Sequence, residues 1–182
     1  MSKKTVIIIG LAIVLACAGY SIYRLMAVRQ HGASSEKSVA VDAKNATYIV
    51  EGENVTLTGG RAEEIIPGSA SKIITQYFGN EAKADFNGDG KDDVAFILTQ
   101  DGGGSGTFFY VAVALSKGSG TIGTNAIFLG DRIAPQTTEF RNGEIIVNYA
   151  DRRPGDSMTT RPSVGVSRYF KVIDGKLVEV QK

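Results

Sequence analysis

Phe108, Phe109, Tyr110, Val111, Ala112, Val113, Ala114 and Leu115 form an unbroken apolar run. Successive side chains of an extended chain point to opposite faces, so such a strand has two apolar faces and needs cover on both. The run predicts a central strand. The face bearing Ala112 and Ala114 needs an element packed closely against it, and a helix is the expected partner. Residues 69–78 supply one: Ser69 is placed to cap it after Pro67-Gly68, and Ile73, Ile74, Tyr77 and Phe78 fall at helical spacing. Gly79-Asn80 then ends it.

Short strands are expected elsewhere. Tyr48–Val50 and Val55–Leu57 flank a turn at Glu51-Gly52-Glu53-Asn54. Val94–Thr99 and Thr107–Leu115 flank Asp101-Gly102-Gly103-Gly104-Ser105-Gly106, a hairpin tip. Ala126–Leu129, Thr137–Phe140, Glu144–Tyr149, Ser167–Ile173 and Lys176–Val180 complete the set, punctuated by Arg141-Asn142-Gly143 and Asp174-Gly175. The 22 glycines suit many turns between short strands. The expected fold class is mainly β (α+β): a single compact domain of antiparallel strands with one short helix, spanning residues 47–182.

Ahead of that domain, Thr5 to Tyr23 runs nineteen residues without a charge, nearly enough helix to span a bilayer core. Lys3 and Lys4 precede it, Arg24 and Arg29 follow, and Tyr20 and Tyr23 sit where interfacial aromatics belong. Residues 1–30 are read as a membrane anchor, with three chemistries open. One is an uncleaved transmembrane helix. The second is a lipoprotein signal, because Val14-Leu15-Ala16-Cys17 resembles a bacterial lipobox and would make Cys17 the lipidated residue. The third is cleavage after Ala18, in the small-x-small triplet Ala16-Cys17-Ala18. Residues 31–46 lack aromatics and a sustained period and read as a flexible stalk.

The only histidine is His31 and the only cysteine is Cys17, both ahead of the expected domain. That domain therefore holds no Ser-His-Asp or Cys-His machinery and no His-rich zinc site. A net charge of +1 argues against a dedicated nucleic-acid binder.

The strongest chemical signal is Asp85-Phe86-Asn87-Gly88-Asp89-Gly90-Lys91-Asp92-Asp93. Oxygen side chains fall at the first, third, fifth and ninth places, with glycine at the sixth, where a sharp turn is needed. Calcium takes about six to eight oxygen ligands, and alternate residues of a tight loop can face a common centre, with the Lys91 carbonyl as a further donor. Magnesium fits less well, because it resists dehydration. Asp, Asn and Gly also favour a bare Asx turn. Such a turn needs only one or two carboxylates, whereas Asp85, Asp89, Asp92 and Asp93 would repel one another without a cation. Asp101 is excluded from the same ion, lying roughly 26 Å along the strand from Asp93.

The loop departs from the EF-hand pattern, which would place a bidentate glutamate where Phe96 stands. It resembles the calcium loops of FG-GAP and related VCBS-type repeats, found in integrin-type propellers and bacterial surface proteins. The resemblance covers about a dozen residues and implies metal ligands at Asp85, Asn87, Asp89, Lys91 (carbonyl) and Asp93, with Asp92 outside the set. A single loop does not imply a propeller. Segments 98–115, 130–138 and 148–155 also resemble a group of small bacterial membrane-attached proteins, which implies no activity.

These features lead to the expectation of a membrane-anchored, extracytoplasmic calcium-binding module. It would sit at the cell membrane as a single-pass protein, with Ca2+ as cofactor and a structural or interaction role at the envelope. Its partner would be a protein or polysaccharide, with no nucleic acid. No catalytic residue is assigned. The alternative is a carboxylate-based hydrolase of envelope glycans, using a pair such as Asp131 and Asp151. The loops around those residues, with Arg152, Arg153, Thr159, Thr160 and Arg161, read either as a surface for an anionic or sugar ligand or as solvated Asp–Arg pairs.

Overall fold

The computed structural model describes residues 40–118 and 120–182, which form twelve strands and no helix. β1 (Thr47–Val50) and β2 (Glu53–Thr56) make a hairpin. Its turn residues Glu51 and Gly52 both have positive φ, 52° and 89°, the geometry whose twist suits a two-residue hairpin loop. Asn or Asp is favoured at the first of these positions, and a longer side chain in the left-handed region costs about 1–2 kcal/mol.

β3 (Arg61–Ile65), β4 (Lys72–Ala84), β5 (Asp93–Asp101) and β6 (Phe108–Lys117) are antiparallel neighbours in chain order. The far edge of β6 is shared. β8 (Ile127–Asp131) pairs along its first half and β7 (Gly120–Gly123) along its second. A second sheet has the order β12 (Lys176–Val180), β11 (Val164–Ile173), β10 (Glu144–Asp151), β9 (Ala134–Arg141).

The central strand is covered on both faces. Phe109, Val111, Val113 and Leu115 pack with Ala95 and Ile97 against Ile145, Val147, Tyr149, Phe170 and Leu177 of the second sheet. On the opposite face, Tyr110, Ala112 and Ala114 pack with Val94, Phe96 and Leu98 against Tyr48, Val50, Val55 and Leu57. The alanine face is thus filled by the β1–β2 hairpin, not by a helix. Tyr48 meets Phe96 edge-on at 5.3 Å and donates its hydroxyl to the Ala43 carbonyl at 2.7 Å. Each fully buried large apolar side chain of this kind contributes about 1.5–3 kcal/mol.

Two expectations are corrected. The helix expected over residues 69–78 is absent: Ile73, Ile74, Tyr77 and Phe78 lie in the thirteen-residue strand β4. β-branched and aromatic side chains favour a pleated surface, and β5 offers this segment a full ladder of partners. Ser69 closes a turn onto the Ser71 amide instead of capping a helix. Gly79 and Asn80, both at positive φ, mark a bulge where the β4–β5 register shifts. The boundary at Ala46 also moves. Ala43 and Ala46 are buried and the Leu57 amide donates to the Ala46 carbonyl, so the last residues of the expected stalk belong to the domain. The anchor, residues 1–30, and stalk residues 31–39 lie outside the described residues. Among the described residues no helix is long and apolar enough to cross a membrane.

The hairpin and the second sheet are both stitched to the break between β7 and β8. Ile49 donates to the Thr124 carbonyl and accepts from the Ala126 amide. Asn125 accepts from the Leu177 amide at 2.9 Å and donates to the Leu177 carbonyl at 3.0 Å.

Candidate metal centre

The 85–93 loop joins the end of β4 to the start of β5. Asp85 organises it. One carboxylate oxygen accepts from the amides of Gly88 (2.7 Å) and Asp89 (3.1 Å), and the other from Gly90 (2.8 Å). These amides, Gly90 foremost, hold the Asp85 carboxyl below its usual range. Gly88 and Gly90 have φ of 79° and 82°, and a Cβ there would pay the left-handed penalty. Asn87 Oδ1 accepts from the Asp89 amide and Asp89 Oδ1 from the Lys91 amide.

Asp93 is fully buried. Its two oxygens accept from the Phe86 amide at 3.1 Å and the Ser116 amide at 2.9 Å. It therefore ties both ends of the loop to the close of β6. Burial pushes its carboxyl up, the two amides pull it down, and the charges of Asp89 and Asp85 push it up again. The ion pairs of the described residues involve other groups, and among those residues no lysine or arginine pairs with Asp85, Asp89 or Asp93. A cleft of about 330 Å³ opens beside the loop, lined by Asn87, Asp89, Ser116, Lys117, Ile122 and Asp174 among others.

The donor set suits a hard cation, being all oxygen, and each Asp93 oxygen keeps a lone pair beyond its single amide bond. Among the described residues, no three Asp, Glu, His or Cys side chains converge closely enough to form a metal-holding group. The structure thus brings Asp85, Asn87, Asp89, Lys91 and Asp93 into one loop without focusing their side chains on one point. Asp101 lies at the opposite end of β5, engaged by the Gly103 amide.

The loops around Asp131 and Asp151 do come together, through Arg152. Its guanidinium donates to the carbonyls of Asp131 (3.2 Å), Arg132 (3.1 Å) and Thr160 (2.7 Å). Asp131 is held by the Thr107 amide and by an ion pair with Arg132 at 3.0 Å. Asp151 accepts from the Arg152 amide. Arg152 directs Nε and Nη1 to backbone carbonyls and so clasps the loops together.

Sequence reasoning passed over two partners of the acidic loop. The Phe86 amide holds Asp93, and the Phe86 ring is buried against Phe140 at 5.0 Å. An apolar residue inside a run of Asp, Asn and Gly was the available signal for Phe86. Nothing local marks the Ser116 amide as a ligand of Asp93; the hairpin expected from Val94–Thr99 and Thr107–Leu115 is what carries Ser116 back to the loop.

Fold and site together define a layered antiparallel β domain with an acidic, glycine-bearing loop at one end of its central strand pair. No family model, curated protein or solved structure matches the chain.

Proposed function

We propose that the 85–93 loop takes up a calcium ion, and that the protein is a calcium-stabilised module held at a membrane by residues 1–30 with its domain on the extracytoplasmic side. Its role in this reading is structural, or the binding of a protein or polysaccharide at the envelope. The observation that carries the reading is electrostatic: burial foremost, with the charges of Asp89 and Asp85 added, pushes the Asp93 carboxyl up, and among the described residues no basic side chain pairs with any of the three. A divalent cation is the partner such a group lacks. Oxygen-only donors favour calcium over softer metals. Extracellular sites of this class work at about 10⁻⁴–10⁻³ M, in keeping with export of the domain.

Calorimetric titration of the full-length chain tests it. Calcium should bind with a single site, and Asp89→Ala should abolish the heat while leaving the metal-free melting transition in place. A melting temperature that stays flat as calcium rises through the range of about 10⁻⁴–10⁻² M sinks the reading.

A further inference from the structure

The β1–β2 hairpin covers its face of the six-stranded sheet only as far as its own turn. Beyond Glu51 the same face continues with Gln100 of β5, Phe108 and Tyr110 of β6, and Phe128 of β8. Gln100 pairs with Phe108, and Tyr110 with Phe128, across adjacent strands. These five residues line an open cleft of about 390 Å³, within the range of small-molecule sites. The rings are set at angles to one another: Phe108 and Phe128 have centroids 6.3 Å apart and planes at 51°, Tyr110 and Phe128 5.4 Å and 59°. Phe108 and Phe128 are 38% and 44% exposed, so their surfaces are open to a ligand. The cleft lies at the far end of β5 and β6 from Asp93, about 23 Å along the strand, and is independent of the acidic loop.

Two features set this patch apart from ordinary surface apolar residues. Glu51 occupies a left-handed position, φ 52°, where Asn, Asp or Gly would sit without strain. Backbone strain retained at such a place is a reason to ask what the side chain does. Glu51 also has no ion-pair partner among the described residues. It shares the lining of the cleft with Tyr110, whose hydroxyl is pushed up to about 12 by burial and by the Glu51 charge.

We propose that this cleft binds a small organic cation bearing a quaternary ammonium group. Ring faces carry negative potential and attract a cation lying within about 6 Å of their centres. The Glu51 carboxylate supplies a formal counter-charge at the rim. A primary ammonium would lose hydration against the rings and need Glu51, Gln100 and the Tyr110 hydroxyl all placed to accept its three hydrogen bonds. A quaternary ammonium has no N–H to satisfy, so aromatic walls with one carboxylate meet its needs. An uncharged sugar would need more donors and acceptors than this lining offers.

The test uses the full-length chain in an uncharged maltoside detergent, titrated with choline, with its neutral isostere 3,3-dimethylbutan-1-ol, and with glucose, and followed by NMR. Choline should bind saturably, with shifts at Phe108, Tyr110 and Phe128, and the isostere about tenfold more weakly. Phe128→Ala and Glu51→Gln should each weaken choline by about fivefold or more. Glu51→Asn guards against misfolding: it should melt higher than the parent, because the turn favours Asn, and yet bind choline as weakly as Glu51→Gln. Absence of saturation with choline, equal binding of the isostere, binding of glucose at these residues, or Glu51→Asn that keeps full choline affinity each overturns the proposal.

Discussion

The Asp93 carboxylate and the Ser116 amide, 23 residues apart in the chain, are joined by a hydrogen bond of 2.9 Å inside the protein. Its other oxygen holds the Phe86 amide. One side chain therefore fixes where the acidic loop sits against the end of β6. Two buried backbone donors depend on it, and an orphaned buried amide costs about 1–3 kcal/mol.

Asp93→Ala should therefore lower metal-free stability by about 2–4 kcal/mol, read by urea denaturation in the presence of a chelator. Asp89→Ala, whose side chain bonds only exposed groups of the loop, should shift the same curve by about 0.5 kcal/mol or less. Both variants should lose the stabilisation that calcium brings. An Asp93→Ala variant as stable as the parent would mean that desolvating the carboxylate costs as much as its two amide bonds return.

Calcium itself should raise the melting temperature of the parent chain. At about ten times Kd the gain is about 1.4 kcal/mol, which for a domain of this size is about 3–5 °C. Differential scanning calorimetry with and without chelator reads the shift, and magnesium at equal concentration should give a smaller one.

The two sheets are joined by Asn125, which satisfies both backbone groups of Leu177 on β12. Leu177 is 2% exposed and part of the core. Asn125→Ala leaves its amide and carbonyl without that partner and should cost about 2–3 kcal/mol. Asn125→Asp keeps an acceptor for the amide but presents a second acceptor to the carbonyl, and should recover only part of the loss. Chemical denaturation of both variants decides it; an unchanged midpoint for Asn125→Ala would show that water replaces the side chain.

The strands read best from sequence are those whose two faces are dictated by their own residues. Phe108–Leu115 is apolar on both faces, and from Phe109 onward it is covered on both. The segment over Ile73–Phe78 misleads because its apolar residues match a helical face and a strand about equally well. β5 decides between them, and a distant partner leaves no mark on a local period. β7, Gly-Thr-Ile-Gly, has no strand signal and exists because the second half of β6 presents an open edge. The acidic loop was legible as a loop of oxygen donors. The burial of Asp93 was not, since it depends on Ser116, which β6 returns from across the hairpin. The cleft beside Glu51 was hidden for the same reason: it needs β1, β5, β6 and β8 together.

Arg168 and Glu179 form a two-pronged pair between β11 and β12, Nε to Oε1 at 2.7 Å and Nη2 to Oε2 at 2.6 Å. The remaining prong reaches the Phe128 carbonyl on the other sheet. The hydrogen bonds from Arg168 hold the Glu179 carboxyl below its ordinary value of 4.5. A carboxyl whose folded pKa is depressed binds fewer protons than in the unfolded chain. Its stabilisation is present above the unfolded value and lost as pH falls through the folded one. Glu179→Gln should cost about 1–2 kcal/mol at neutral pH, and the gap to the parent should close in acid as Glu179 protonates. Urea curves of both chains at neutral and acid pH make the comparison. A gap that stays constant with pH would assign the effect to packing.

Gly123 sits on β7 where the hairpin presses closest. A Cβ there would fall well inside contact distance of the Thr47 carbonyl oxygen and the Tyr48 ring. Neither neighbour can yield easily. Thr47 is paired in the hairpin with Thr56, and Tyr48 is fully buried and anchored through its hydroxyl to Ala43. Room for one methyl group therefore has to come from lifting the whole hairpin from the alanine face of β6. Gly123→Ala should destabilise the domain by about 2–3 kcal/mol, the range for overpacking a close contact. Gly120→Ala, on the same strand with open space around it, should change stability by about 0.5 kcal/mol or less. Because the hairpin ends in Glu51, the lifted Gly123→Ala domain should also lose choline affinity while keeping its calcium response, since Asp93 and Phe86 lie on the opposite face of β5 from the hairpin. Thermal melts, paired with the two titrations, separate these effects. Loss of both ligands would indicate global unfolding, and loss of neither would show that the hairpin tolerates the methyl group by a local shift.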